Sequence, residues 1–565
     1  MLKQSESIAS SPKATCRVRT QEALASLRQQ LAAQRDACPK QVIVSSGTCG
    51  ESRGALEVAS ALREELARCG LADEVLFRVT GCHGFCEQEP MVIIQPGDIL
   101  YCHVGPQDAA EIVSRTVVRR ELIDRLLYTD PGSGERLCSE MAIPFYAAQD
   151  RPLLGQNQKI DPTSIDDAIA NGAYSALAQV LATGDPASVI KEITRSGLRR
   201  HVGDGLEVGL SWETFRSQTD NEEKYIVCCV DEGDPAAHVD RTLLEGNPHA
   251  VLEGMIIAAY VTGASAGLIR LSTEHRLALQ HAWLAVDKAR EYGFLGTDLF
   301  DSDFSFDIDI TQKSRAPAGE ESVKSVVRTF PGEKLYNREN SRLYDSAEVW
   351  ARVPGIVEHG ASWFADLGFG DCTGTKVFSL SGPIRNKGLV EVAMGMSLRT
   401  LVLDIGRGIR NGSKVKAVQT GGPFGGCLPR RMFNVSVDHD SLAKAGSMVA
   451  SGRIVVMGRE TCMVNVAKRS LESLQQESCS KCVVCRETIG AMVEVLTAIV
   501  EGQGHPEHLE QLRKLAKACS EPSVCPLGKA ASKPVLSTLK YFRKEYEAHI
   551  HDGRCPAGVC RDLAR

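Results

Sequence analysis

The sequence contains no uninterrupted run of about 18 apolar residues, the length that a membrane-spanning helix requires, so we expect no membrane span. It has no basic excess either. The 65 Lys and Arg residues face 71 Asp and Glu residues, and a net charge of −6 offers no field that would attract nucleic acid. Residues 1–13 are polar and lack the apolar centre of a secretory signal. We therefore expect a cytoplasmic protein.

Cysteine, in contrast, is abundant. The chain of 565 residues is long enough for three or four domains and carries 20 cysteines. Several of them are grouped at short spacings, and without a secretory signal such groups indicate metal or cluster ligands rather than disulfides. Cysteines outside such groups are more often small buried apolar residues, which we expect for Cys16, Cys38, Cys69, Cys138, Cys228, Cys372, Cys427, Cys462 and Cys519.

The strongest motif lies near the C-terminus. Cys479, Cys482 and Cys485 form a C-x2-C-x2-C triplet, and Cys525 follows 40 residues after the triplet. Three close thiolates and one distant thiolate are typical of a [4Fe–4S] cluster, which takes four cysteine ligands. An amphipathic helix is predicted directly after the triplet, and its N-terminal dipole favours a negatively charged cluster. The sequence therefore predicts a [4Fe–4S] site.

Zinc is the alternative for this motif, but it would favour paired C-x2-C groups or neighbouring histidines. The spacing fits an iron–sulfur cluster better. A further pair, Cys555 and Cys560, forms a C-x4-C motif at the end of the chain. Two cysteines alone do not complete a site, so we interpret this pair as surface thiols.

A second group of cysteines lies near the N-terminus. Cys82 and Cys86 form a C-x3-C motif on the loop after a predicted strand, and Cys49 lies on the loop after the first strand. These loops could hold a [2Fe–2S] cluster, which normally takes four cysteines. The fourth ligand would be a serine, Ser45 or Ser46, or another cysteine, Cys102. The other interpretation is that the cluster is absent, and the sequence leaves both open.

Patterns of apolar residues, glycines and turns divide the chain into six segments. These are a polar tail (1–39), a compact α/β unit whose element order fits a thioredoxin-like fold (40–120), a linker (121–159), a Gly-rich mixed α/β unit (160–368), a β-rich unit (369–455) and a helical unit (456–565). The clearest helices predicted in the mixed unit are Val251–Thr262 and His275–Tyr292, the second ending at Gly293.

Several longer motifs resemble one known family. They are ESCSKCVVCRET, SVCPLG, YFRKEYEAHI and CPAGVC in the helical unit, KVFSLSG and GGPFGG in the β-rich unit, and NPHAVLEGMIIAAYVTGA in the mixed unit. The family is the NADH-binding flavoprotein subunit of respiratory complex I, with its relatives in electron-bifurcating hydrogenases and NAD-dependent formate dehydrogenases. The resemblance implies a multidomain α/β protein with a thioredoxin-like domain, a Rossmann-like FMN/NADH domain, a β-grasp domain of ubiquitin-like fold, and a C-terminal four-helix-type [4Fe–4S] domain.

The resemblance also implies a binding site for FMN and NAD(H) in the mixed unit. Residues 196–212 correspond to the family's glycine-rich flavin loop. Two further motifs match at residues 229–236 and 319–322. The residues that the resemblance assigns to the cofactor site are Gly203, Gly205, Asp231, Glu232, Asp234, Gly319, Glu320 and Glu321.

The chain departs from the family pattern within these motifs. Two loop glycines are replaced by Arg200 and Val202, and the motif lysine by Ser211. Cys229 replaces an asparagine, and the family's paired asparagines appear as Asp345 and Ser346. Added bulk and negative charge should weaken binding of a flavin phosphate.

Two functions follow from the resemblance. In the first, the chain is an electron-transfer subunit that passes electrons from NADH through FMN to iron–sulfur clusters. In the second, it is an iron–sulfur relay or assembly subunit that has lost FMN and NADH binding. Either function requires other redox subunits as partners, of the hydrogenase, formate dehydrogenase or another reductase type.

Overall fold

The structure is a computed structural model that describes residues 17–200, 205–218, 223–230, 234, 236–313, 341–478, 483–521, 523, 526–561 and 563. Three larger sheets, a small two-stranded sheet between the first and the second of them, and a C-terminal group of helices make up the described part of the chain. The molecule is therefore a mixed α/β protein with several sheets. No helix in this part of the chain combines the length and apolarity that crossing a bilayer requires.

A helix precedes the first sheet, within the segment interpreted as a polar tail. Helix α1 spans Gln21–Asp36 and begins at Thr20, whose side chain accepts a hydrogen bond from the Ala23 N–H. It packs against two helices of the mixed unit, and Arg35 lies 3.4 Å from Asp167 there.

The first sheet has the strand order β2-β1-β3-β4, with β1 and β2 parallel and the other pairs antiparallel. The sequence predicts strands at Gln41–Ser46, Val75–Val79, Met91–Gln95 and Leu100–Val104, and all four are confirmed, although the last ends at Tyr101. A closing helix predicted at Gln107–Thr116 is also confirmed and continues to Val118. The elements are β1 Gln41–Ser45, α2 Thr48–Glu51, α3 Ala55–Arg68, β2 Leu76–Thr80, β3 Val92–Gln95, β4 Ile99–Tyr101 and α4 Ala109–Glu111.

The segment predicted as a linker contributes to a core that two units share. It forms β5 Tyr128–Thr129, β6 Arg136–Leu137 and α5 Pro144–Ala147. Phe145 stacks on Phe85 of the first unit with ring centroids 3.9 Å apart, and both rings belong to an apolar cluster that also contains Phe378 and Val390 of the β-rich unit. Burial of this cluster holds the compact α/β unit (40–120) and the β-rich unit (369–455) together.

The second sheet is entirely parallel, with the order β10-β7-β8-β9. Helices cover it, as parallel sheets require. The elements are α6 Ile165–Ala170, α7 Ser175–Thr183, α8 Pro186–Ser196, α9 Val208–Ser217, β7 Tyr225–Val230, α10 Val239–Gly246, α11 Pro248–Thr262, β8 Ala266–Ser272, α12 Arg276–Tyr292, β9 Asp307–Lys313, β10 Arg342–Ser346, α13 Ala347–His359 and α14 Ala361–Asp366.

Helix α11 shows why this sequence folds as it does. The Asn247 side chain caps its first turn, Pro248 occupies the first helical position, and Gly263 ends the helix with φ of 76°. Thirteen of its 15 residues are buried, because α11 lies between other helices and the sheet. The sequence predicted this helix from residue 251, three residues after its actual start. Helix α12 likewise ends at Gly293, as predicted.

The third sheet has the order β12-β11-β15-β13-β14, and six helices follow it. Its elements are β11 Thr375–Ser381, β12 Gly388–Ala393, β13 Ala417–Thr420, β14 Cys427–Pro429, α15 His439–Lys444 and β15 Arg453–Met457. The helices are α16 Met463–Glu477, α17 Val483–Val500, α18 Glu507–Ser520, α19 Pro526–Ala530, α20 Ser532–Tyr541 and α21 Arg543–His551. The predicted amphipathic helix after the cysteine triplet is confirmed as α17.

A buried network of charges joins the second and third sheets. Glu348 on α13 accepts hydrogen bonds from Arg352 at 2.8 Å and from Lys376 on β11 at 2.7 Å. Arg352 also bonds Glu391 on β12 at 3.3 Å, and Thr375 donates to Glu391 at 2.8 Å. All four charged side chains are buried, so each charge is compensated by an opposite one.

The first unit also meets the edge strand of the third sheet. The Leu389 N–H on β12 donates to the Gly84 carbonyl at 2.7 Å, directly beside the predicted cysteine loop. A Cβ on Gly388 would lie only 2.0 Å from that carbonyl oxygen, so this backbone approach requires glycine.

The tight crossing of α11 and α13 yields a stability prediction. A Cβ on Gly254 would lie 1.9 Å from the Trp350 carbonyl oxygen, which is backbone and cannot move aside. Gly254→Ala should therefore lower the free energy of unfolding by about 3 kcal/mol. All four tryptophans (Trp212, Trp283, Trp350 and Trp363) lie in this unit, so guanidinium unfolding followed by tryptophan fluorescence reports it selectively.

The matched control is Gly355→Ala on α13. A Cβ there would meet the Trp363 ring at 3.4 Å, an ordinary contact distance. This substitution should change the free energy of unfolding by less than about 1 kcal/mol. Equal guanidinium midpoints of unfolding for Gly254→Ala and Gly355→Ala would contradict the close crossing of α11 and α13.

Candidate functional site

The first candidate site lies where strands β7 and β10 of the parallel sheet end. Ligands of open parallel sheets bind at this carboxyl edge. Asp345 is the second-last residue of β10 here, and Arg200 from the loop after α8 donates from Nε to Asp345 Oδ1 at 2.9 Å. The Arg200 guanidinium also bonds the Tyr344 carbonyl. The loop turns at Gly205, whose φ is 73°, and a Cβ there would lie 2.6 Å from His439 Nδ1.

The described residues include two of the eight predicted cofactor residues. The structure places Gly205 and Asp234 at this edge. The remaining predicted residues, Gly203, Asp231, Glu232, Gly319, Glu320 and Glu321, lie outside the described residues. Asp234 is buried and lies 3.1 Å from Arg453 on β15. Gly422 follows β13 of the third sheet, and a Cβ on it would lie 2.0 Å from Asp234 Oδ2. The Asp234 carboxylate therefore packs directly against the backbone at this end of the third sheet.

Burial shapes the electrostatics of this edge. It raises the pKa of Asp345 to about 6, and the neighbouring Arg200 limits the rise. Burial also raises the pKa of Asp240, at the start of α10, to about 7. The pKa of His439 falls to about 4, because burial and the nearby Lys376 disfavour the imidazolium. His439 is therefore neutral at physiological pH.

Several buried polar atoms at this edge have no hydrogen-bond partner among the described residues. They are Asp234 Oδ2, Asp345 Oδ2, Ser451 Oγ and His439 Nε2. Buried polar groups are normally paired, so such atoms indicate a missing polar ligand. FMN carries ribityl hydroxyls and an imide N–H that can donate to carboxylates. The residues present therefore fit the polyol and ring of FMN, with Asp234 and Asp345 as acceptors.

The second candidate site is the group of N-terminal cysteines. Cys49 lies on α2, and Cys82 and Cys86 lie after β2. The Cys86 thiol hydrogen-bonds Cys49 and, with Arg241 and Arg53, lowers the pKa of Cys49 to about 6 against the effect of burial. Hydrogen bonds to Cys49 and Cys82 raise the pKa of Cys86. The structure thus brings all three predicted cysteines together.

Two residues that the sequence offers as the fourth ligand of a [2Fe–2S] cluster, Ser45 and Cys102, lie in different surroundings. Ser45 is buried and donates to Glu89 Oε1 at 2.6 Å, while Cys102 lies in the shared apolar cluster with Phe85. Burial, with Glu89 and Glu140, raises the pKa of Cys102 to about 12. Burial also raises the pKa of Glu89 to about 8, and the Cys49 thiolate contributes to that rise. Glu89 is thus a buried carboxyl near the cysteines that the sequence analysis did not identify.

Helix α10 connects the two candidate sites. At its C-terminal end Glu245 accepts a hydrogen bond from the Thr48 N–H at 3.0 Å, one residue before Cys49. At its N-terminal end Asp240 accepts from the Glu348 N–H at 2.9 Å, three residues after Asp345. Eight helical residues span about 12 Å. The cysteine group and the carboxyl edge of the sheet are therefore separated by little more than one short helix.

The third candidate site is the predicted [4Fe–4S] centre. Cys485 is buried on α17, whereas Cys479, Cys482 and Cys525 lie outside the described residues. The residues flanking them converge on Cys485. Ser478 Oγ lies 4.0 Å from Cys485 Sγ, and a Cβ on Gly528 would lie 2.3 Å from Ser523 Oγ and 3.5 Å from Cys485 Sγ.

The remaining cysteines correct part of the sequence interpretation. Cys555 is buried and Cys560 is half-buried, so their interpretation as surface thiols was wrong. A tight turn folds this pair inward against α16 and α21. Cys69 was expected to be buried but is exposed, since it ends α3 at the surface, and Cys38, Cys138 and Cys372 are half-buried. Cys228, Cys427, Cys462 and Cys519 are buried as predicted, and Cys16 lies outside the described residues.

Two parts of the chain match known families. Residues 193–339 match the Nuo51 FMN-binding domain, and residues 465–549 match the NADH-ubiquinone oxidoreductase-F iron-sulfur binding region. The first region includes the flavin-type loop, and the second includes the cysteine triplet and Cys525.

Similar proteins cover most of the chain. The NADP-reducing hydrogenase subunit HndC of Solidesulfovibrio fructosivorans is 41% identical over 416 residues, which are 72% of this chain and 84% of the relative. An NADH-quinone oxidoreductase subunit of Rhizobium meliloti is 35% identical over 400 residues, 68% of this chain and 94% of the relative.

A solved NAD+-reducing [NiFe]-hydrogenase in the H2-reduced state shares the fold, with a TM-score of 0.58 and 21% identity over 94% of this chain and 93% of that chain. The identity to the two relatives, together with matches to both the flavin-binding and the iron–sulfur regions, shows the family. The chain belongs to the family that contains the NADH-ubiquinone oxidoreductase-F proteins and related hydrogenase subunits.

Proposed function

We propose that this protein is an electron-transfer subunit of a larger redox complex, which takes electrons from NADH through FMN and passes them to iron–sulfur clusters. The observation that carries the proposal is the match of residues 193–339 to an FMN-binding domain, together with two unpartnered buried carboxylate oxygens, that of Asp234 inside the matched region and that of Asp345 shortly after it. FMN, when bound, accepts a hydride from NADH and releases electrons singly.

The chain's own residues would bind and orient that cofactor. Asp345 and Asp234 would accept hydrogen bonds from its hydroxyl and N–H donors through their unpartnered oxygens. Gly205 lets the loop backbone approach closely, since its positive φ and the nearby His439 ring exclude a side chain. The residues assigned by resemblance, Gly203, Asp231, Glu232, Gly319, Glu320 and Glu321, would complete the pocket for FMN and NAD(H).

One observation favours a second candidate function. Arg200 and Asp345 stand where the family pattern has glycine and asparagine, and the two side chains bond each other. The Arg200 side chain fills space beside the loop where a flavin would approach, and it engages one of the two oxygens of Asp345. A subunit that relays electrons between iron–sulfur clusters without FMN is therefore the alternative.

The cysteine groups supply the positions for the clusters. We assign the [4Fe–4S] cluster to Cys479, Cys482, Cys485 and Cys525, supported by the approach of Ser478 and Gly528 to Cys485. We assign a [2Fe–2S] cluster to Cys49, Cys82 and Cys86, supported by the hydrogen bonds that link the Cys86 thiol to the other two. Helix α10, which is about 12 Å long, then lies between this second cluster and the carboxyl edge of the parallel sheet.

The architecture and partners follow the same proposal. We interpret the first sheet as a thioredoxin-like domain, the parallel sheet as a Rossmann-like domain, the third sheet as a β-grasp domain and the C-terminal helices as a four-helix-type cluster domain. The partners would be other redox subunits, of hydrogenase, formate dehydrogenase or another reductase type, that exchange electrons with the iron–sulfur clusters.

Cofactor analysis of the intact protein tests the proposal. The protein purified anaerobically should contain about one FMN per chain and six iron atoms, four from the cubane and two from the smaller cluster. NADH should bleach the flavin absorbance and reduce the clusters. Iron without flavin, and no reduction by NADH, would support the flavin-free relay instead.

The Arg200–Asp345 pair gives a second prediction. The double variant Arg200→Gly/Asp345→Asn removes the ion pair and restores the residues of the family pattern. It should bind FMN about tenfold more tightly, which corresponds to about 1.4 kcal/mol. Fluorescence titration of the flavin-depleted protein measures this change. Arg195→Ala is the control, since Arg195 pairs with Glu192 on the exposed face of α8 and should leave the affinity unchanged. Weaker binding by the double variant would mean that the ion pair supports FMN.

Two buried cysteines of the helical unit provide a matched pair for the [4Fe–4S] assignment. Cys485→Ser should lower the iron content by about four atoms per chain and abolish the cubane's electron paramagnetic resonance signal, because one thiolate ligand is lost. Cys519 is also buried, but its thiol bonds the Gly528 carbonyl at 3.5 Å, so Cys519→Ser should retain the signal. Retention of the signal in both variants would rule out Cys485 as a ligand.

A further inference from the structure

The last turn of α10 lies against the two loops that carry the N-terminal cysteines. The carboxylate of Glu245 is buried there, and its Oε2 accepts a hydrogen bond from the Thr48 N–H at 3.0 Å, one residue before Cys49. The Thr48 hydroxyl donates to Oε1 of the same carboxylate. One side chain of the mixed α/β unit therefore holds the segment that carries Cys49.

The loop of the other two cysteines approaches the same end of α10. A Cβ on Gly81 would lie 2.3 Å from the Gly246 Cα, so the residue before Cys82 requires glycine. The Asn157 side chain donates to the Cys82 carbonyl at 3.3 Å. It also packs on Gly246, where a Cβ would lie 2.4 Å from Asn157 Nδ2. Both cysteine loops thus meet at the end of one helix.

The Glu245 carboxylate lies close to Cys82 as well as to the Cys49 segment. A Cβ on Gly47 would lie 3.0 Å from the Cys82 Cβ and 3.2 Å from Glu245 Oε2. The carboxylate oxygen and the Cys82 side chain are therefore no farther apart than these two distances together. A buried charge at such a separation is little screened by solvent and acts strongly on any change of charge at the cysteines.

A cation accompanies this carboxylate. Arg241 lies one turn earlier on α10 and places its Nε 3.2 Å from Glu245 Oε1. Only 13% of the Arg241 side chain and 1% of the Glu245 side chain are exposed. Two donors of Thr48 and the guanidinium surround the carboxylate, as expected of its ionised form. Two opposite charges are therefore buried beside the N-terminal cysteines.

We propose that Glu245 and Arg241 set the reduction potential of the N-terminal [2Fe–2S] cluster in opposite directions, an inference that rests on the proposed function. Reduction adds one electron, which comes from NADH through FMN, and hence one negative charge at the cysteines. The Glu245 carboxylate repels this charge and lowers the potential. The Arg241 guanidinium attracts it and raises the potential.

Glu245 is at the same time a positioning residue. It belongs to the helix between the cysteines and the carboxyl edge of the parallel sheet, and it bonds the backbone next to Cys49. One side chain therefore fixes the place of the Cys49 segment relative to that edge and also the ease with which an electron is accepted there.

Redox titration of the intact protein, followed by electron paramagnetic resonance, tests this proposal. Glu245→Gln retains groups that can bond Thr48 but removes the negative charge. It should favour the reduced cluster about tenfold, an upward shift of about 59 mV for a one-electron couple. Arg241→Gln removes the positive charge and should shift the potential downward by a similar amount. A disturbance of structure alone has no reason to give shifts of opposite sign.

Two further variants serve as controls. Glu291→Gln makes the same chemical change on the exposed face of α12, where Glu291 pairs with Lys288, and should leave the potential unchanged. Arg241→Lys keeps the positive charge and should keep the potential of the unmodified protein. The [4Fe–4S] signal of each sample is an internal reference, since its potential should not move.

The outcomes separate this inference from the proposed function. An unmodified protein that shows the [2Fe–2S] signal, with no shift or shifts of the same sign in Glu245→Gln and Arg241→Gln, would overturn the role of the charge pair alone. An unmodified protein without that signal would refute the cluster and the inference together. Each variant predicts its own sign, so if one fails to fold, the other still decides.

Discussion

Two carboxylates and two cations, all withdrawn from water, hold the parallel sheet against the β-rich unit. Glu348 lies at the centre, because it bonds Arg352 on its own helix and Lys376 on the neighbouring sheet. Its backbone N–H bonds Asp240, and Asp345 lies three residues before it. A buried network of this type is stable only when every partner is present. The carboxyl edge of the parallel sheet, where we propose that FMN binds, therefore depends on an electrostatic contact between the mixed α/β unit and the β-rich unit.

The order of elements along the chain was accessible from the sequence, because it depends on local signals. Asn247, Pro248 and Gly263 bound α11, and short apolar runs marked the strands of the first sheet. Contacts between distant residues were not accessible. Arg200 contacts Asp345, which is 145 residues away in the sequence, and Cys462 contacts Cys560, which is 98 residues away. No local sequence pattern predicts either contact. The inward fold of Cys555 and Cys560 depends on that second contact.

The positions of the candidate sites fit a chain of electron carriers. The N-terminal cysteines and the flavin edge lie at opposite ends of α10, and each is fixed to the helix by a hydrogen bond to an acidic side chain, Glu245 or Asp240. Distances between carriers depend on such rigid elements rather than on loops.

The contact between Gly84 and Leu389 has a consequence for the N-terminal unit. Strand β12 is the outermost strand of its sheet, and an uncovered strand edge is a template for aggregation. The loop from Cys82 to Cys86 covers part of this edge through a backbone hydrogen bond. The N-terminal unit thus protects the solubility of its neighbour, a role that would persist even in a chain whose cysteines held no iron.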